Sequence, residues 1–337
     1  MTATFWQGKK ILVTGGAGFI GSNLAERLVK LGSHVRIVDN LERGKIEYLK
    51  PIRNQIEFFK LDLSKRAGCQ KAVKDIDFVF HLASKVGGIG YYLNSPGEVI
   101  LNNILIDSHM LQASLRSGVK RYLYASSAHV YPLELQQSPD TPPIKEDQAY
   151  PASPGLSYGW AKLIGEQQIE YVVKSIRSPR VAIIRLVGIF GKNQDINLDT
   201  GSVIPVFCRR AIEYPKRKPF IIWGTGTETR SYCYIDDAMD GLLLAMQKLT
   251  LLKYLGPVNL GSEAQISMAE LAKMIIDISG KPITAIQHKA KKTLIWRQAV
   301  DCSKAKAFLD GWIPNTSLYD GLKETYRQVE KRLITKS

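Results

Sequence analysis

No run in this 337-residue chain approaches about 18 consecutive apolar residues, which argues against a helix built to span a bilayer. The first ten residues, Met1 to Lys10, carry no apolar core of the secretory kind, so the cytoplasm is the expected location. Cysteine is scarce. Cys69, Cys208, Cys233 and Cys302 lie far apart, with no CxxC pair and no histidine at ligand spacing. A disulfide framework and a zinc site are both argued against, and buried thiols are expected. Internal repeats and low-complexity linkers are absent too. Acidic residues number 31 against 46 basic ones, for a net charge of +15. The basic residues are scattered apart from Lys216-Arg217-Lys218 and Lys289, Lys291 and Lys292. No helix-turn-helix, zinc finger or aromatic platform accompanies them, so no nucleic-acid partner is expected. An anionic small molecule and solvated faces account for the charge. With 45% hydrophobic and 23% charged residues, the chain is ordinary globular material of one large domain or two modest ones.

What the chain does have begins at once. Lys10-Ile11-Leu12-Val13-Thr14 reads as a strand, followed by Gly15-Gly16-Ala17-Gly18-Phe19-Ile20-Gly21 and an amphipathic helix from about Ser22 to Leu31. A second strand, His34 to Val38, ends in Asp39 and Asn40. Strand, glycine turn, helix, strand and acid make the full βαβ unit that binds dinucleotides. Gly15 and Gly18 let backbone N–H groups approach a pyrophosphate at the helix N-terminus, and Gly21 lets helix and strand pack closely. Asp39 can accept from a ribose 2′-hydroxyl and would repel a 2′-phosphate, so NAD is favoured over NADP; Arg36 and Arg43 moderate that preference.

A third strand, Ile56 to Leu61, ends at Asp62 and Leu63; Asp62 is read either as a contact to the adenine edge or as a helix N-cap. The fourth, Asp77 to Ala83, brings Leu82 and Ala83 to the cofactor. Its His81 reads as a satisfied core residue. A glycine-rich loop follows, Ser84-Lys85-Val86-Gly87-Gly88-Ile89-Gly90-Tyr91, then a long helix from about Glu98 to Ser117.

The fifth strand, Arg121-Tyr122-Leu123-Tyr124-Ala125-Ser126-Ser127, breaks into Ala128-His129-Val130-Tyr131-Pro132. In open α/β sheets ligands sit at the carboxyl ends of strands, so a hydroxyl and an imidazole there are placed for chemistry. The segment Leu133 to Pro154 reads as a loop over that edge. Tyr158 and Lys162 then share one face of a helix running to about Val173, and can reach one spot together. A sixth strand, Val181 to Val187, completes the series, and Val258 to Gly261 reads as a strand rejoining the sheet. The expected fold is an α/β doubly wound parallel sheet over residues 1–187, with 233–261 returning to it. Residues 188–232 and 262–337 form a smaller interleaved α/β lobe.

With the glycine turn, the serine at the strand edge and the Tyr158/Lys162 pair in hand, the chain resembles the extended short-chain dehydrogenase/reductases. More narrowly it is similar to the nucleotide-sugar epimerases and dehydratases among them. Trp223-Gly224-Thr225-Gly226 with Arg230, and Arg297 with Asp301 ahead of Gly311-Trp312-Ile313-Pro314, match the substrate-lobe pattern. Val86 to Gly90, Ala125 to Pro132 and Lys145 to Pro154 echo the GDP-mannose 3,5-epimerases in particular. The resemblance implies bound NAD, a GDP- or UDP-linked sugar as substrate, and a 4-keto sugar intermediate. It assigns catalysis to Ser127, Tyr158 and Lys162, and substrate contacts to Lys85, Gly87, Gly88, Ser127, His129, Arg230 and Arg297, the two arginines at the diphosphate. It also implies a homodimer through the helices Glu98–Ser117 and Tyr158–Val173.

The chemistry fits the residue types. A phenol with an ordinary pKa near 10 needs a nearby ammonium and a cationic ring to act as a base at neutral pH. His129 occupies the position where 3,5-epimerases carry a cysteine base, dehydratases and decarboxylases a glutamate, and 4-epimerases usually a threonine. It reads as a general acid/base for C3 or C5, or as a space-filling residue. The chain departs from the 3,5-epimerases in three ways. The cysteine is missing, Asn193 to Thr200 holds no lysine to serve as opposite-face acid, and Gly188 replaces an asparagine. Lys85 and Lys192 are the candidate substitutes for the missing lysine.

Overall fold

The structure is a computed structural model that describes residues 3–87, 89–175, 179–216, 219–284, 286–289 and 295–334. Its centre is an all-parallel sheet of seven strands: β1 Lys10–Thr14, β2 His34–Asp39, β3 Ile56–Lys60, β4 Phe78–His81, β5 Arg121–Ser127, β6 Arg180–Leu186 and β7 Tyr254–Leu260. Their order is β3-β2-β1-β4-β5-β6-β7, so the strand order reverses between β1 and β4. That reversal opens a crevice at the carboxyl ends, where a doubly wound sheet binds ligands. The inner strands are buried continuously rather than alternately, as in Ile11 to Thr14 and Tyr122 to Ser127. Helices covering both faces require that pattern.

Helices α1 (Phe19–Lys30), α2 (Arg66–Val73), α3 (Pro96–Arg116) and α4 (Ser157–Ser175) flank the sheet. Helix α1 starts three residues earlier than its amphipathic pattern suggests, because Phe19 and Ile20 already lie in the first turn. Helix α2 has no counterpart in the sequence reading. Its buried face is only Cys69, Ala72 and Val73, set among Gly68, Gln70 and Lys71. That glycine is needed: a Cβ there would stand 2.4 Å from the Asp62 carbonyl oxygen.

β7 pairs in parallel with β6, its register shifting between Leu255 and Val258. The C-terminal lobe is stitched from short pieces. Gln265–Ser267, Thr229–Ser231 and Arg297–Gln298 form one three-stranded sheet, and Phe220–Trp223 pairs with Ile286–Lys289. One cluster of buried apolar side chains runs from Trp6 and Ile11 through Phe207, Ile235 and Leu242 to Leu322 and Val329. That core joins the central sheet to the C-terminal pieces. All four cysteines are buried and free. Among the described residues, no helix is long and apolar enough to cross a membrane, and no cluster of His, Cys, Asp and Glu is placed to hold a metal.

Candidate active site

The glycine turn shows why glycine is required at two positions. Gly15 has φ +65°, and a Cβ on it would lie 2.9 Å from the Ala83 Cα; on Gly21 it would lie 2.3 Å from the Gly15 carbonyl oxygen. Together they fold the turn against β4 and the first turn of α1. The Asp39 carboxylate, at the end of β2, accepts from the Ala17 amide at 3.0 Å and the Leu41 amide at 2.8 Å. Burial raises its pKa while those two amides oppose the rise. Asp62 is neither free nor an N-cap: its Oδ1 accepts from the Ser64 amide at 2.9 Å, closing the turn that leads toward α2.

A cavity of about 410 Å³ runs from this turn across the strand ends. Gly15, Gly18, Phe19, Ile20, Gly21, Asp39, Asn40, Asp62, Leu63, Leu82 and Ala83 all line it, and so do Lys85, Ser127, His129, Tyr158 and Lys162. Residues from the ends of β1 to β5, the loop after β4 and helices α1 and α4 therefore meet in a single cleft. The end of β5 explains the placement of two of them. Ser127 caps a short 3₁₀ turn, Ala128–Val130, and its Oγ accepts from the His129 amide at 3.3 Å. Helix α4 is pressed onto that turn: a Cβ on Gly159 would stand 2.0 Å from the His129 carbonyl oxygen. Tyr158 is brought against His129 as a result, ring centroids 5.8 Å apart at 76°.

Beneath the cavity floor lies a buried polar network. Ser126 donates to Glu166, and Glu166 is held by both arms of Arg185 at 3.0 and 2.7 Å. Arg185 also donates to the Tyr131 hydroxyl at 3.1 Å and the Glu146 carbonyl at 2.7 Å. Tyr131 reaches Asn259 on β7 at 2.5 Å. Bidentate, charge-assisted bonds of this kind fix geometry as well as charge. His81 is the satisfied core residue its sequence context suggests, fully buried with both ring nitrogens bonded.

Several placements differ from the sequence reading. The phenol of Tyr158 is not made acidic here: burial pushes its pKa up and Tyr92 adds to the rise, while hydrogen bonding with Ser84 and Ser127 opposes it. The Lys162 ammonium turns to Asp107, 3.7 Å away. Arg230 and Arg297 do not line the cavity. Arg230 spends its guanidinium on the carbonyls of Thr229, Ile295 and Trp296 at 2.7–3.1 Å, and Arg297 donates to the Pro139 carbonyl at 2.6 Å. Those bonds brace the parallel pairing of Arg297–Gln298 with Thr229–Arg230. Gly87 is also off the lining, packed where a Cβ would strike the Tyr91 ring at 2.5 Å; Gly88 lies outside the described residues. Lys85 reaches the cavity but is paired with Glu42 and, at 3.1 Å, Glu98. Lys192 is tied to Glu26 at 2.7 Å and is not among the lining residues. Gly188 has a local cause: at φ +59°, a Cβ would fall 2.0 Å from the Ser231 carbonyl oxygen, so no asparagine fits.

The sequence reading missed Tyr92. Its ring stacks on Tyr158 at 5.2 Å and 17°, and lies 6.2 Å from His129. The signal was there: a pair of tyrosines closing the glycine-rich loop. His129 itself is held neutral, its pKa pushed down to about 4 by burial and by the Arg230 charge.

A glycine turn at a helix N-terminus and a buried acid one strand later fit a dinucleotide. They share one cleft with a serine, tyrosine and lysine, and this defines the class as dinucleotide-dependent α/β enzymes. The comparisons place it further. Residues 11–261 match the NAD dependent epimerase/dehydratase family, to which this chain belongs, and NAD is its cofactor. It is 32% identical over 331 residues to GDP-mannose 3,5-epimerase 1 of Oryza sativa subsp. indica, covering 98% of this chain and 84% of that protein. It is 30% identical to UDP-N-acetyl-alpha-D-glucosaminuronate decarboxylase of Bacillus cytotoxicus, covering 96% and 99%. Among solved structures it resembles UDP-glucose 4-epimerase from Thermotoga maritima with UDP-glucose, with TM-score 0.85 and 28% identity, covering 96% of this chain and 99% of that one. The chain is thus an NAD-dependent enzyme of the nucleotide-sugar epimerase/dehydratase group.

Proposed function

We propose that the enzyme epimerises a nucleotide-diphosphate sugar, GDP- or UDP-linked, through a transient 4-keto sugar, with proton exchange at C3 or C5 by His129. One observation carries this reading: Ser127, His129, Tyr158 and Lys162 line the same cavity as the glycine turn and Asp39. Gly15, Gly18, Asp39, Asn40, Asp62 and Leu63 would hold the dinucleotide. Bound there, NAD would supply the reversible hydride acceptor that the sugar carbon needs. Ser127 hydrogen-bonds the reacting oxygen, Tyr158 takes and returns its proton, and Lys162 supplies the fixed positive charge beside them. A ketone at C4 makes the C3 and C5 hydrogens acidic, and a neutral imidazole in reach can remove one. His129 is neutral across the physiological range, since its pKa is pushed down to about 4. Lys85 is the cavity's candidate cation for the sugar or diphosphate side, while Arg230 and Arg297 stand outside the lining on backbone carbonyls.

Plain C4 inversion is the second reading, favoured by the structural likeness to the Thermotoga maritima 4-epimerase. Incubation with GDP-mannose, UDP-glucose and UDP-glucuronate in D₂O separates the two. Deuterium at C3 or C5 is expected; isomerised product without solvent label leaves C4 inversion alone. We also propose a cytoplasmic homodimer through α3 and α4. A groove there is lined by Leu111, Leu115, Trp160 and Tyr171, and Leu101 and Tyr171 are exposed large apolar side chains. Light scattering at micromolar concentration should give twice the chain mass of 37.7 kDa; the monomer mass would refute it.

A further inference from the structure

Lys162 has a partner that the reaction just described does not use. Asp107, midway along α3 and buried, faces the Lys162 Nζ with Oδ2 at 3.7 Å, and the same oxygen accepts from the Tyr124 hydroxyl at 2.6 Å. Its Oδ1 lies 3.0 Å from His81 Nε2, and His81 Nδ1 lies 2.9 Å from Thr14 Oγ1. Thr14 Oγ1 already accepts the amides of Leu82 and Ala83 at 3.1 and 3.0 Å. Its one proton therefore goes to His81 Nδ1, which leaves Nε2–H to donate to Asp107. The chain of bonds has a single direction, from the backbone at the cavity edge to the carboxylate beneath the lysine.

We infer that Asp107 is a positioning residue for Lys162: its carboxylate keeps the buried lysine charged and fixed at the cavity wall, braced through His81 and Thr14 against Leu82 and Ala83. The surroundings support this. Burial pushes the lysine pKa down, and Asp107 is the first group acting against it, ahead of Glu166. Glu166 is already engaged by both arms of Arg185. His81 is held toward the neutral form by burial, and the Tyr124 ring lies 4.6 Å from Nζ. Two further titratable groups adjoin the network: buried Tyr122, its ring 5.8 Å from His81 and its pKa raised by burial and by Asp107, and Tyr158, one helical turn before Lys162. Helix α4 even makes room for the network. At Gly165 a Cβ would stand 2.2 Å from the Tyr124 hydroxyl oxygen and 3.1 Å from Asp107 Oδ2.

The inference rests on the role given to Lys162 above, yet its test needs no turnover. Protein labelled with [ε-¹³C]lysine is titrated by NMR, with the Lys162 signal assigned by its loss in Lys162→Met. In the unmodified protein the ammonium should persist through about pH 8, despite complete burial. In Asp107→Asn its midpoint should fall by about 1–3 pH units, as expected when an opposite charge at this range is removed. Asp107→Glu should restore most of the difference, and the alkaline limb of turnover should move down together with the midpoint. A lysine already neutral at about pH 7 in the unmodified protein overturns the inference, whatever becomes of the variants. An unchanged midpoint in folded Asp107→Asn overturns it equally. If the midpoint moves while the alkaline limb stays, the placement of Asp107 stands and the catalytic role of Lys162 falls.

Discussion

The two sides of the cleft are built by different means. On the dinucleotide side, Gly15 to Gly21, Asp39, Asp62 and Ala83 come from the turn after β1, the start of α1 and the ends of β2 to β4, and the regular elements of the sheet hold them together, Asp39 through the Ala17 amide and Gly15 against Ala83. Gly15, Gly21 and Asp39 are where they must be because a turn, a helix start and a strand end allow nothing else. On the sugar side, position depends on distant pairing. Arg230 is set by carbonyls 65 and 66 residues further along the chain, and Lys85 by Glu42 and Glu98. A site whose first half rests on regular sheet elements and whose second half rests on side-chain pairing between loops can keep its cofactor while changing its substrate. That matches relatives that share the family and differ in the sugar and nucleotide they are named for.

The contrast can be broken most forcefully at Tyr158, where the sides meet. Tyr158→Phe should cost about 10²–10⁴-fold in turnover, the usual share of a general acid/base, while the NAD released on denaturation stays stoichiometric. Full turnover in that variant would detach the phenol from the chemistry. Next comes the network under the floor, which serves both sides. Glu166→Gln leaves the buried Arg185 charge uncompensated and should lower urea-measured stability by about 3–5 kcal/mol. A loss of only a few tenths would mean that Arg185 finds another partner.

His129 sharpens the comparison through pH. Its folded pKa of about 4 lies below the ordinary 6.5, so the unfolded chain binds the proton more readily. Stability from keeping this ring neutral is therefore full above about pH 6.5 and falls as the pH drops toward 4, by on the order of 1–3 kcal/mol. Urea midpoints of the parent and His129→Asn should converge across that window. The smallest effect belongs to Arg297. Because it stands outside the cavity, Arg297→Ala should raise KM for the nucleotide sugar by about tenfold at most, the worth of one ordinary hydrogen bond, with turnover unchanged. A much larger rise would bring the arginine into direct contact with substrate.

The legible part of the chain follows the same division. The parallel sheet and the gathering of Gly15, Asp39 and Asp62 at its strand ends could be read because strand periodicity and turn glycines are local signals. That Ser127, Tyr158 and Lys162 face one cavity could be read because a strand end and an i, i+4 pair are local too. What escaped depends on tertiary contacts. Nothing in the sequence around Asp107 marks it as the counter-charge of Lys162, since its partners come from β4, β5 and α4. The raised pKa of Tyr158 escaped for a related reason: Tyr92, which stacks on it and adds to the rise, comes from the short helix Ile89–Asn94, over 60 residues earlier. The diphosphate role of Arg230 and Arg297 came from motif resemblance, and motif position does not say which way a guanidinium turns.

The most direct test of the account follows a sugar deuterated at C4, GDP-mannose or UDP-glucose, through a single turnover on NAD-loaded enzyme while nicotinamide absorbance is recorded. Reduced-nicotinamide absorbance should rise and then fall to its starting level. The rise should be slower with deuterium than with hydrogen, and the label should return to C4 of the product. Product that forms with no change in absorbance and no isotope effect would contradict the account.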